Sequence, residues 1–162
     1  MITLGFYKGP GIWVDRVIRW ATRSPYSHVE VLLDGIPEGG STRTSYSASG
    51  RDGGVREKGI TFDAGKWDFV SVPWVDPIKA LAIFSQEQGS AYDWLGLILS
   101  QVLNLHRGSK GRWFCSELIA HVLGLPSPSS WSRGEVKDIV DYLNRIRPFD
   151  IVSEAQQPRV AS

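Results

Sequence analysis

A single cysteine in 162 residues excludes a disulfide within the chain, and with only three histidines it excludes a Cys-rich zinc site. The thiol is therefore either packed in the core or used. Charge of one sign is missing too. Eighteen Lys and Arg against 17 Asp and Glu leave a formal charge of +1, so no global field draws the molecule to nucleic acid or to an anionic membrane. The one basic cluster, RGSKGR at 107–112, is too short to suggest a nucleic-acid partner. No apolar run approaches the roughly 20 residues needed to span a bilayer, and the nearest, LGLILSQVLNL, is interrupted by polar residues. The segment MITLGFYKGPG lacks the charged start and unbroken apolar stretch of a signal peptide. A soluble protein is the expectation.

What is present is enough for one core. Hydrophobic residues make up 42% of the chain, and this length suits one domain, expected over residues 1–150 with an unpacked tail at 151–162. Seven tryptophans are many for this length, and packing in the core and at its rim is the simplest use for them. ITLGFY is β-prone and ends at the breaker pair Gly9-Pro10. In GIWVDRVIRWATR, residues 11–23, Val14, Ile18 and Ala21 recur at helical spacing with Trp13, Val17 and Trp20 beside them, and Asp15, Arg16 and Arg19 fall elsewhere, which predicts an amphipathic helix. SHVEVLL, RTSYSAS, VREKGITF and KWDFVSVP follow as strand candidates separated by turn residues. At Asp76-Pro77 an N-cap residue and a proline at the first helical position open DPIKALAIFSQEQ, which Gly89 closes. Further helices are expected over 91–103, 114–123 and about 134–146. The fold class is α+β.

Cys115 stands where the helix FCSELIAHVL begins. With Leu118, Ile119 and Val122 it falls at i, i+3, i+4 and i+7, on the apolar stripe, as a structural cysteine would. Yet the first turn of a helix, with its unsatisfied N–H groups and dipole, lowers a thiol pKa and suits a nucleophile. A nucleophile needs an acid–base partner. His121, six residues along the same helix, lies roughly 9 Å up and 240° around and cannot meet the sulfur; it is expected at the surface, near Glu117. His106 falls in a polar loop. His28 begins a strand on which alternation sets His28 and Glu30 on one face. Residues two apart on a strand stand about 7 Å apart, so direct contact requires both side chains to bend.

These residues together, FCSELIAHVLG, YSHVEVLL and GSAYDWLGLI, resemble the permuted NlpC-like branch of the papain-like cysteine hydrolases, particularly YiiX-like proteins and their phage-encoded relatives. The likeness covers roughly residues 4–125. It implies a permuted papain-like (NlpC-type) fold in which a small, barrel-like antiparallel sheet presents the histidine to the start of the cysteine helix. It further implies Cys115 as nucleophile, His28 as acid–base, and Tyr26, Tyr92, Asp93 and Trp94 as residues near or in the substrate cleft. The family places a third polar residue on the strand beside the histidine strand. Here that strand offers only Ser45, Ser47 and Ser49, so the orienting group is Glu30, a serine, or none. Peptidoglycan stem peptides or another small amide or ester are the implied substrates, without metal or organic cofactor, in a bacterial cytoplasm or a phage virion. An acyltransferase or lipid hydrolase of the lecithin:retinol acyltransferase type, and an inactive binding protein on the same fold, are the competing expectations.

Overall fold

The computed structural model describes residues 1–63, 65–92 and 112–146. Its first strand, β1 (Ile2–Tyr7), is followed by α1 (Trp13–Thr22), which Arg23 ends in a left-handed conformation (φ 49°). Four more strands follow: β2 (His28–Leu32), β3 (Thr42–Ser49), β4 (Gly54–Thr61) and β5 (Trp67–Val72). They form an antiparallel sheet in the order β5-β1-β2-β3-β4, so the predicted strands pair as one sheet with β1 between β5 and β2. Two short strands, β6 (Ala91–Tyr92) and β7 (Arg112–Trp113), extend it beyond β4.

Helix α2 (Pro77–Glu87) starts as its sequence dictates, with the Asp76 carboxylate accepting from the backbone N–H of Ile78 at 2.8 Å. Helix α3 (Cys115–Val122) begins at the cysteine itself, and α4 (Arg133–Ile146) closes the described chain. The Ser132 hydroxyl accepts from the N–H of Glu135 while the Glu135 carboxylate accepts from the N–H of Ser132. This reciprocal capping fixes where α4 starts. The helix expected over 91–103 differs at its first two residues, which form β6; the remainder lies outside the described residues.

One face of the sheet is apolar. Leu4, Phe6, Val29, Val31, Ala48 and Val55 project from it onto Phe84 of α2, Leu118 and Ile119 of α3, and Val136 and Val140 of α4. Burying each large side chain of this kind contributes about 1.5–3 kcal/mol. The other face is polar and carries His28, Glu30, Ser47 and Arg56, with α1 lying across a cleft from it. The Gly53-Gly54 pair has a steric reason. Gly53 turns with φ 84°, and a Cβ on Gly54 would come within 2.0 Å of the Ser90 carbonyl oxygen.

The tryptophans correct the packing expectation in part. Trp67, Trp74, Trp113 and Trp131 are half-buried, whereas Trp13 and Trp20 of α1 are 73% and 79% exposed. Among the described residues, no helix is long and apolar enough to cross a membrane.

Candidate active site

The site is assembled across the sheet. The register Tyr7↔His28 and Gly5↔Glu30 aligns β2 with β1, Val31↔Tyr46 sets β3 beside it, and Ser47↔Arg56 sets β4 beyond. Glu30, Ser47 and Arg56 therefore stand in one row on one face. Arg56 must reach across β3 to meet Glu30, and the small Ser47 side chain lets it pass. Its two terminal nitrogens donate to the Glu30 carboxylate at 2.8 and 2.5 Å, and its Nε donates to Asp52 at 2.9 Å.

Glu30, 1% exposed, contacts the imidazole of His28 directly, with Nε2 to Oε1 at 2.7 Å. The bending that the 7 Å strand spacing demands does occur, because His28 is the first residue of β2 and its ring has room to lean along the strand. His28 is 23% exposed on its side chain. With Nε2 engaged by Glu30, Nδ1 is the nitrogen that can serve a second partner, and the imidazole lies within hydrogen-bonding reach of Cys115. Charge makes these contacts strong, since each joins ionisable groups of opposite sign.

Cys115 is the first residue of α3 and is 0% exposed, within the apolar cluster. Its helix has no side-chain N-cap, the preceding residue Phe114 being extended. The backbone N–H groups of the first turn are thus not taken by a capping side chain. Arg133, also 0% exposed, donates Nε–H to the Cys115 sulfur at 3.1 Å. The charged groups alternate in sign from surface to core: Lys58, Asp52, Arg56, Glu30, His28, Cys115, Arg133.

This order sets the protonation states. Burial pushes the Cys115 thiol up, but the Arg133 charge and the hydrogen bond from His28 outweigh it and bring the thiol down to about 6. Burial pushes His28 down, and the Glu30 carboxylate and the Cys115 sulfur outweigh it and raise the imidazole to about 9. Burial likewise pushes Glu30 up, and His28 and Arg56 lower it to about 2. Near neutral pH the arrangement holds a thiolate, an imidazolium and a carboxylate.

The serines of β3 take other roles. Ser47 donates to the Val29 carbonyl at 2.6 Å and Ser45 to that of Lys58 at 3.2 Å, while Ser49 supports Asp52. The group that touches the imidazole is Glu30. Tyr26 packs against Phe6 and donates its hydroxyl to Asp68 at 2.8 Å, and it does not line the cleft beside His28. Tyr92 lies in β6, and Asp93, Trp94 and His106 fall outside the described residues. His121 is exposed and stacks on Trp113 at 5.2 Å.

A cleft of about 420 Å³ opens beside His28, Glu30 and Arg56, with Ile12, just before α1, and Val14 and Ile18 of α1 on its opposite wall. Cys115 does not line it. Among the described residues, no group of three or more His, Cys, Asp or Glu side chains could hold a metal ion.

Sequence reasoning missed Arg56 and Arg133. Arg56 was hidden because its partner lies two strands away. For Arg133 the S-x-x-E capping pattern of 132–135 marks the helix start, but nothing local tells that a first-turn arginine turns inward. The sequence matches no protein-family model and no curated protein.

Proposed function

We propose that the chain is a cysteine hydrolase built on the permuted papain-like arrangement its sequence resembles, cleaving an amide bond by way of an acyl-enzyme. The observation that carries the reading is the His28–Glu30 contact at 2.7 Å beside a cysteine at the first position of a helix. In this reading the Cys115 thiolate attacks the carbonyl carbon, forming the C–S bond and a tetrahedral oxyanion. Backbone N–H groups of the first turn of α3 meet that oxyanion. The His28 imidazolium gives its proton to the leaving nitrogen as the C–N bond breaks. Water then attacks the thioester, His28 takes a proton from it, and the carboxylic acid product leaves with the thiolate restored. Glu30 holds the ring and its charge, Arg56 holds Glu30, and Arg133 holds the sulfur as a positioning residue.

Peptidoglycan stem peptides, in a bacterial or phage setting, are the substrates to try first, on the strength of the resemblance. Turnover of purified peptidoglycan fragments by the wild type, with loss of at least about 10³-fold in Cys115→Ser, supports the reading. Equal release of product by both proteins sinks it.

The complete burial of the sulfur favours a second reading, a binding protein that keeps the fold and uses the cleft without chemistry. Such a protein binds the same fragments with unchanged affinity after Cys115→Ser and produces no new amine.

A further inference from the structure

Helix α1 is placed the wrong way round for a helix that belongs only to this domain. On its wheel Trp20, Trp13, Val17, Ala21, Val14 and Ile18 form one continuous apolar arc, and Thr22, Asp15, Arg19, Arg23 and Arg16 form the other. An amphipathic helix of a globular domain normally turns the apolar arc inward. Here the one buried residue of the helix is Asp15, tied to Arg51 and to the N–H of Ile12. Arg19 is also held inward, donating to the carbonyls of Gly9 and Pro10 at 2.8 and 3.0 Å. Trp13, Val17 and Trp20 face solvent together, at i, i+4 and i+7.

We propose that this outward face of α1 docks on a lipid bilayer surface bearing anionic headgroups. Charge decides in favour of that occupant. Arg16 and Arg23 are exposed along the Trp20 edge of the apolar arc, and the only acidic residue of α1, Asp15, is buried and ion-paired. A ring system that is apolar over its body with one polar N–H suits the headgroup region, and arginines beside it reach lipid phosphates. Near-zero net charge does not oppose this, because the attraction to an anionic leaflet acts over about a Debye length and is set by the local patch. The inner side of the same helix, through Val14 and Ile18, walls the cleft beside His28. Docking would bring the cleft to the membrane surface, within reach of amides or esters carried on amphiphiles. The docking itself does not depend on the chemistry proposed for Cys115.

The test is co-sedimentation of the full chain with vesicles of phosphatidylcholine alone and of phosphatidylcholine mixed with phosphatidylglycerol, at low and at physiological salt. Alongside go the double variants Trp13→Ser/Trp20→Ser and Arg16→Gln/Arg23→Gln, with circular dichroism to show that each is folded. The expected result is binding of the wild type to the mixed vesicles that falls about tenfold or more in the tryptophan variant. The arginine variant should lose roughly fivefold per residue and most of its dependence on salt. No binding to mixed vesicles, or binding equal in wild type and tryptophan variant, overturns the proposal. So does a concentration-dependent dimer in light scattering that the tryptophan variant abolishes, since the face then belongs to a second copy. Alkylation of Cys115 measured in the same tryptophan variant should be unchanged, which separates failure of the docking from failure of the active-site reading.

Discussion

At the scale of single residues, Cys115 is held from two sides, by His28 and by Arg133. The two restraints have separable consequences. Arg133→Gln removes the buried positive charge, and the midpoint for ionising Cys115 should rise by roughly 1 unit or more. Arg133→Lys keeps a charge without the planar fork and should restore part of the shift. A residue with a merely structural role would change the melting temperature in both variants and leave the midpoint where it was. For the proposed hydrolysis, the thiolate must be present and the imidazolium must have a proton to give. The rate should therefore rise as pH passes about 6 and fall as it passes about 9. Glu30→Gln should move the falling limb toward the ordinary imidazole value, because the carboxylate that raises His28 is gone. Much of this was legible. Cys115 and His28 stand out from type and position alone, and the face shared by His28 and Glu30 follows from strand alternation. Arg56 and Arg133 were not legible, because their partners are 26 and 18 residues distant in the chain and no local pattern marks the reach of a long side chain.

At the scale of elements, the sheet's row through Glu30, Ser47 and Arg56 depends on a small residue in the middle. Ser47→Leu should block the passage of Arg56, leave the buried Glu30 carboxylate with one cationic partner fewer, and cost about 3 kcal/mol or more in a denaturant melt. Ser47→Ala, which keeps the passage and loses the bond to the Val29 carbonyl, should cost only about 1 kcal/mol. Equal losses would mean that Arg56 does not need that passage. Helix α3 carries its own test: Leu118→Ala removes a fully buried side chain and should destabilise by about 2–5 kcal/mol. The elements themselves were largely readable. Turn residues bounded each strand, and Asp76-Pro77 announced α2. The orientation of α1 was not readable, since a hydrophobic pattern fixes which residues share a face but not what that face meets.

At the scale of the whole molecule, the alternating charges govern how stability varies with pH. Glu30 titrates at about 2 in the folded chain against 4.5 ordinarily. The unfolded chain thus binds more protons between those values, and the stability that Glu30 contributes is present above pH 4.5 and lost as pH falls toward 2. Asp52, also lowered to about 2, adds loss in the same window. Glu30→Gln should flatten the acid limb without abolishing it, as a series of melts at descending pH will show; an unchanged limb contradicts the assignment. His28, raised from 6.5 to about 9, contributes stability fully present below 6.5 and lost as pH rises through 9. Cys115, lowered from 9.0 to about 6, contributes stability present above 9.0 and lost as pH falls through 6. Between 6.5 and 9.0 one group gains a proton on folding and the other gives one up. Stability should therefore be nearly level there, with little net proton exchange.

The measurement that meets the central claim most directly is the ultraviolet absorbance of the thiolate as a function of pH, taken as the difference between the wild type and Cys115→Ser, with His28→Ala alongside. The single cysteine makes the difference signal its own, and ionisation is read whether or not a reagent can reach the buried sulfur. A midpoint near 6 that rises in His28→Ala is the predicted result. A midpoint at or above the ordinary thiol value of about 8.5, unmoved by the loss of His28, would mean that the sulfur is a core atom and that no thiolate nucleophile exists.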